Sequence, residues 1–181
     1  MNKNMKKNWL SLGLMSGTSG DGIDASLIKT NGLDKYEVLT DKYFRYDSNI
    51  YKDIHTLKEK IHKIFHLDEF ESELNDLERR ITIFHAEIIK ELKIDNRTIV
   101  GFHGQTIYHN FKEKISRQLG NGKLLSQLTK KKIVYDFRSN DILNGGQGAP
   151  LTPVFHHLIA LQSNINLPVC FLNIGGISNI T

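Results

Sequence analysis

The sequence is poor in cysteine, in proline and in long apolar runs. These shortages restrict the classes of protein and the cellular compartments that fit it. Its 181 residues include one cysteine, three prolines and one tryptophan. One cysteine cannot form an internal disulfide, so we expect a reducing compartment, the cytoplasm. No run approaches the roughly 20 apolar residues that cross a bilayer, and the first 17 residues lack the length and cleavage pattern of a signal peptide. We expect no membrane partner.

An excess of one charge sign is also missing. The formal net charge is only +4, and most basic residues alternate with acidic ones. The single basic run, Lys130 to Lys132, precedes an apolar stretch and is interpreted as a solvated helix end. A nucleic-acid surface needs a basic stripe with interleaved aromatic residues, and none is visible. We therefore expect no nucleic-acid partner.

The apolar patterns that are present predict an α/β domain. Residues 9–15, 23–29 and 36–46 have the pattern of strands without an intervening helix, which predicts an antiparallel start to the sheet. Residues 50–93 show helical spacing and predict two helices joined near residues 67–70. Strands and helices then alternate, which predicts a mixed sheet. Cys170, in "VCFLNI", is expected to lie in a buried strand.

Four polar or glycine-rich segments follow predicted strands. They cover residues 17–24, 102–106, 136–150 and 173–179. Ligands of open α/β sheets collect in crevices at strand ends, so these segments are expected to converge on one site.

The first segment, "GTSGDGID", suits a phosphate, although it lacks the lysine of a Walker A loop and does not fit G-x-G-x-x-G. Its backbone N–H groups and the hydroxyls of Thr18 and Ser19 could hold phosphate oxygens. Asp21 and Asp24 could hold the water shell of Mg²⁺. The alternative is a tight hairpin in which the aspartates cap their own backbone.

The next two segments carry candidate ligands for a polar small molecule. "FHGQT" places His103 and Gln105 just beyond a predicted strand. Arg138 lies between Asp136 and Asp141, which indicates either a salt-bridged helix start or a guanidinium that binds an anionic group. The histidine spacing, without cysteines, argues against zinc.

Taken together, the motifs resemble those of the anhydro-N-acetylmuramic acid kinase family. The matching segments are "GLMSGTSGDGID", "GFHGQT", "QLGNG", "DFRSNDILNGGQGAPLTPVFHH" and "LNIGGISNIT". The resemblance implies an actin-like, sugar-kinase (ribonuclease H-like) fold of two α/β domains, with residues 1–181 forming the N-terminal one. It implies conversion of 1,6-anhydro-N-acetylmuramic acid, ATP and water to N-acetylmuramic acid 6-phosphate, a step of peptidoglycan recycling, with ATP and Mg²⁺ as cofactors.

The resemblance also implies site residues. The phosphate loop for ATP would consist of Gly17, Thr18, Ser19, Gly20, Asp21, Gly22, Ile23 and Asp24. The candidate sugar-binding residues are His103, Gln105, Arg138 and Asp141. Gly20 stands where the family usually has a larger apolar residue, which predicts a looser loop.

The family's general-base aspartate lies in a motif that would follow Thr181, so no catalytic residue is assigned. We therefore expect this chain to be an incomplete kinase that is inactive alone. Its expected partner is the missing C-terminal half, or a second copy bound through the exposed cleft face. The alternative is a truncated, non-catalytic module that binds sugar or phosphate. A third and weaker hypothesis is an actin-like assembly or chaperone domain.

Overall fold

The chain begins with three strands that pair in chain order, as the sequence predicts. The computed structural model describes residues 8–174 and 178–181. Strand β1 pairs antiparallel with β2, and β2 with β3. The strands are β1 (Trp9–Ser16), β2 (Gly22–Thr30), β3 (Tyr36–Arg45), β4 (Ile99–Asn110), β5 (Ile115–Leu119), β6 (Lys132–Tyr135), β7 (Leu172–Asn173) and β8 (Asn179–Ile180). The helices are α1 (Ser48–Lys60), α2 (His66–Glu69), α3 (Glu71–Glu91), α4 (Gly122–Thr129), α5 (Ser139–Leu143) and α6 (Pro153–Gln162).

The later strands extend this antiparallel meander into a mixed sheet. Strand β4 lies parallel to β1, after the crossover through the first three helices. The first half of β4 pairs in parallel with β6, and its second half pairs antiparallel with β5. The sheet order is β3-β2-β1-β4-β5, with β6 also on β4. The predicted mixed α/β sheet is confirmed.

The core forms where the helices pack on this sheet. Alternate side chains of β1, such as Leu12 and Leu14, are buried, as expected for a strand with one covered face. Ile54 of α1 and Leu77 of α3 are fully buried opposite them. The carboxylate of Asp47 caps α1 by accepting hydrogen bonds from two backbone N–H groups of its first turn, which fixes where this helix begins.

The helical region differs in detail from its prediction. Helix α1 ends at Lys60, so Ile61, Ile64 and Phe65 lie outside it although their spacing continues the apolar pattern. The predicted joint is the short helix α2. Among the described residues, no helix combines the length and apolar character that crossing a bilayer requires.

The prediction for Cys170 is wrong, because its side chain is exposed and precedes the strand. Strands β7 and β8 pair only with each other, in a small sheet of their own. Within the part of the chain that the structure describes, the strand that follows Cys170 therefore does not join the main sheet. The predicted Gly-Gly turn lies at residues 175–176, outside the described residues.

Candidate functional site

The predicted phosphate loop is the connection between β1 and β2 together with the first residues of β2. The backbone N–H of Gly20 donates to the carbonyl of Gly17 over 3.1 Å, which closes the turn. Gly20 has a φ of +67°, and a Cβ there would approach Ile54 Cγ2 to 2.8 Å. A side chain at position 20 would therefore be strained in this backbone conformation and would displace Ile54. Gly22, Ile23 and Asp24 belong to the strand rather than to the loop.

Gln105 ties this loop to the centre of the sheet. Its side-chain carbonyl accepts a hydrogen bond of 2.6 Å from the Ser16 hydroxyl, and its amide donates to the Gly17 carbonyl over 3.0 Å. Ser16 is also within hydrogen-bond distance of the Tyr46 hydroxyl, at 3.0 Å. Gln105 is 0% exposed. The structure thus places Gln105 at the predicted phosphate loop, with its polar atoms already engaged.

A glycine in the middle of β4 explains this placement. Gly104 has a φ of +71°, and a Cβ there would lie 2.5 Å from the carbonyl oxygen of Leu119. The pairing of β1 with β4 changes register at this point, so that Ser16 lies opposite Gln105. His103 and Gln105 were predicted to follow a strand, but both lie inside β4, which continues to Asn110. Because of this bulge, the side chains of His103 and Gln105 contact different neighbours.

Lys58, a residue that the sequence did not single out, also reaches the loop. It lies near the end of α1, and its Nζ donates a hydrogen bond of 2.6 Å to the carbonyl of Thr18. The side chain is half-buried, and burial lowers the pKa of its ammonium. A lysine on an amphipathic helix ordinarily faces solvent, so the sequence pattern gave no signal for this contact.

These contacts orient two peptide groups of the loop. Gln105 holds the Gly17 carbonyl and Lys58 holds the Thr18 carbonyl. In a trans peptide the following N–H points the opposite way, and neither peptide is cis. The N–H groups of Thr18 and Ser19 therefore face away from Gln105 and Lys58. Within the described residues neither N–H donates a hydrogen bond, and consecutive free N–H groups form a concavity suited to an anion.

Of the two aspartates predicted to hold Mg²⁺, Asp21 contacts this loop directly. The Ser19 hydroxyl donates to Asp21 Oδ1 over 2.5 Å. This hydrogen bond, together with one from the Tyr43 hydroxyl, lowers the pKa of Asp21 against the opposing effect of burial. Asp24 lies on β2, and its carboxylate, like that of Asp21, is exposed. Both side chains are open to water, as an outer-sphere Mg²⁺ site requires.

His103, Arg138 and Asp141 form a second cluster around one loop. The Arg138 guanidinium donates to His103 Nε2 over 2.8 Å and to the Gly148 carbonyl over 2.6 Å. Asp141 accepts a hydrogen bond of 2.7 Å from the Gly148 N–H. The alternative of a salt-bridged helix start is not borne out, because no ion pair of Arg138 with Asp136 or Asp141 is found among the described residues. Asp136 accepts from Ser139 instead.

The contacts of His103 fix its tautomer. Its Nδ1 lies 2.7 Å from the Gly104 carbonyl and must donate there, which leaves Nε2 free to accept from Arg138. Burial, and next the charge of Arg138, lower the pKa of His103. The imidazole is therefore neutral near pH 7.

A groove of about 230 Å³ opens next to His103. Its polar lining includes Ser116 and Gln118 of β5 and Asp136 and Ser139 at the end of β6 and start of α5. Strands β1 and β6 both run parallel to β4. Three of the four predicted segments therefore lie at the same end of the sheet. The fourth, residues 173–179, includes residues outside those described. No group of three or more potential metal ligands from His, Cys, Asp and Glu occurs within residues 8–174 and 178–181.

An antiparallel meander followed by parallel strands, with a phosphate-suited turn between the first two, defines the N-terminal domain of the actin-like sugar-kinase fold, a ribonuclease H-like architecture. The family model described as anhydro-N-acetylmuramic acid kinase matches residues 9–181, and the chain belongs to that family.

Curated proteins named anhydro-N-acetylmuramic acid kinase are similar to this chain. The protein from Pelagibacter ubique (strain HTCC1062) is 57% identical over 181 residues, covering 98% of this chain and 48% of that protein. The protein from Agrobacterium fabrum is 39% identical over 185 residues, covering 94% of this chain and 48% of that protein. The chain therefore spans about half the length of the curated relatives it matches.

Proposed function

We propose that this chain supplies the phosphate loop and part of the sugar site of a kinase that acts on 1,6-anhydro-N-acetylmuramic acid. The observation that carries the proposal is the pair of free N–H groups of Thr18 and Ser19, held outward in a chain of this family. The overall reaction transfers the γ-phosphoryl group of ATP to O6, opens the bond between O6 and C1, and adds water at C1. The product is N-acetylmuramic acid 6-phosphate.

The residues of the β1–β2 connection fit the phosphates of ATP. The free N–H groups would donate to phosphate oxygens, and Gly17 and Gly20 leave the backbone open to close approach. Asp21 and Asp24 would hold Mg²⁺ through its water shell, and the ion would screen the phosphate charge. Gln105, which was expected on the sugar side, is proposed here as a support of the loop.

The groove beside His103 is proposed as the sugar side of the cleft. The neutral imidazole of His103 lines the groove, and the guanidinium of Arg138 donates a hydrogen bond to that imidazole. Arg138 retains a buried Nε that has no hydrogen-bond partner among the described atoms. A guanidinium suits a carboxylate, and the substrate carries one on its lactyl group. Asp141 would act indirectly, by holding the Gly148 backbone that Arg138 also contacts.

The chain is proposed to need the rest of the family's length for turnover. No residue described here is assigned as the general base that activates water, and loss of a general base costs about 10² to 10⁴ in rate. A partner carrying the remaining half would complete the cleft. A kinase that uses ATP works where ATP is available, which supports a cytoplasmic location.

Product detection tests the proposal. The purified chain, alone and mixed with the half of the Pelagibacter ubique relative that it does not cover, is incubated with Mg-ATP and the anhydro sugar. Mass spectrometry then follows formation of the hydrated 6-phosphate. Product from the mixture but not from either half supports the proposal. Product from the chain alone would contradict the need for a second half, and binding of sugar or phosphate without product from the mixture would favour the non-catalytic module.

A further inference from the structure

We propose that Lys58 is a positioning residue of the phosphate loop, which orients the Thr18–Ser19 peptide so that the Ser19 N–H faces a bound phosphate. The inference rests on the proposed function, because it assumes that the loop binds phosphate. It assigns to α1, a helix with no expected role in binding, a direct contact with the site.

The contact is specific in its geometry. Lys58 Nζ donates to the Thr18 carbonyl over 2.6 Å, across 40 positions in sequence. The same ammonium lies 3.7 Å from the place where a Cβ of residue 20 would stand. A Cβ at position 20 would thus stand in ordinary van der Waals contact with the ammonium, which places Lys58 directly against the turn.

The ammonium of Lys58 has no acidic partner in the part of the chain that the structure describes. No carboxylate there lies within 4.0 Å of it. Burial alone lowers the pKa of Lys58, and no neighbouring acidic group opposes that effect. A half-buried cation is costly unless it is hydrogen-bonded. The Thr18 carbonyl supplies that hydrogen bond, and the ammonium lies on the side of the loop opposite to the free N–H groups.

The helix that carries Lys58 is held in place by its packing in the core. Ile54 and Leu57 of the same helix are buried in the core. Ile54 is also the residue nearest to the Gly20 Cβ position. The helix is therefore packed directly beneath the loop, and the hydrogen bond from Lys58 transmits that rigidity to the Thr18 carbonyl. Together with Gln105 on the Gly17 carbonyl, it holds two successive peptide groups.

The test compares the parent chain with Lys58→Met, which keeps the apolar stem, and Lys58→Arg, which keeps the donor and the charge. Lys52→Met is the matched control, since Lys52 is an exposed lysine on the same helix. Binding of Mg-pyrophosphate is measured by ³¹P NMR titration. The order of the Thr18 and Ser19 amides is measured by ¹⁵N relaxation without ligand, because loss of charge alone would not change it. Circular dichroism confirms that each variant is folded.

We expect Lys58→Met to weaken pyrophosphate binding about tenfold, the effect of one charge-assisted hydrogen bond, and to lower the order of both amides. Lys58→Arg should bind within about twofold of the parent, and Lys52→Met should match it. A Lys58→Met variant with unchanged affinity and amide order, in a parent that binds, would overturn the role of Lys58 alone. A folded parent that binds no pyrophosphate would overturn the proposed function and the role of Lys58 with it. If Lys58→Met does not fold, Lys58→Gln, which removes the charge and keeps a polar side chain, replaces it, and unchanged affinity and amide order in Lys58→Gln would overturn the assignment.

Discussion

Acidification should destabilise this domain through His85, a histidine buried in the core. His85 lies on α3 and is 0% exposed. Its Nδ1 is 2.8 Å from the Ile81 carbonyl, and its ring lies 4.7 Å from that of Phe102. Nε2 has no hydrogen-bond partner among the described atoms. The neutral ring, with Nδ1 as donor, is therefore the form that the core accepts.

The pKa of His85 sets the size of the effect. Burial lowers it from 6.5 to about 4, although the Ile81 carbonyl opposes the shift. The unfolded chain binds the proton first as the pH falls, so the free energy of unfolding is greatest above about pH 6.5 and declines toward pH 4. The difference between the two pKa values corresponds to a loss of about 3 kcal/mol, or about 1.4 kcal/mol per pH unit within that window.

Urea unfolding followed by circular dichroism at pH values from 7 to 4.5 measures this loss. The variant His85→Gln cannot titrate, so its free energy of unfolding should change much less over the same range. His103 also has a lowered pKa, but it is present in both proteins, and the comparison isolates His85. His62→Gln is the control, because His62 is exposed. Equal pH slopes for the parent and His85→Gln would refute the reasoning.

Two further substitutions and one association measurement test the site and its surroundings. Gly104→Ala should lower the free energy of unfolding by at least about 2 kcal/mol in urea titration, because it combines a positive φ with a backbone clash; a cost below about 0.5 kcal/mol would argue against the bulge. Ser16→Ala should cost about 1–2 kcal/mol, because it leaves the buried Gln105 carbonyl without its donor, whereas Ser11→Ala on the same strand should cost less. The chain should also associate, with itself or with the part of the curated relatives that it does not span, because many large apolar side chains are exposed, among them Val154 at 83% and Ile174 at 77%. A monomer at all concentrations in sedimentation velocity, with and without that part, would contradict this expectation.

Much of the fold could be predicted from patterns among residues that are close in sequence. The alternation in β1 and β2, the small residues between them and the helical spacing of residues 50–93 depend on neighbours in sequence. The mixed sheet and the family followed from these patterns and from the motifs. Each of these features could be recognised without knowing which elements touch.

The features that the sequence did not reveal depend on contacts between distant segments. A helical pattern shows which face of α1 is buried, but not that Lys58 ends beneath Thr18. The letters "HGQ" do not show that a bulge at Gly104 separates His103 from Gln105. Likewise, the apolar run around Cys170 gave no indication that its strand pairs away from the main sheet.

The hydrogen bonds that shape the β1–β2 loop have a consequence for the order of folding. Ser16 and Gln105 are separated by 89 positions, and the loop contact of Lys58 spans 40. The β1–β2 hairpin can form from local sequence alone, but its turn acquires the two outward N–H groups only after α1 and β4 have docked. During synthesis, a ribosome would have to release more than a hundred residues before the first motif of the chain could bind anything. Non-local contacts of this kind form late, so anion binding by the loop would report completion of the sheet.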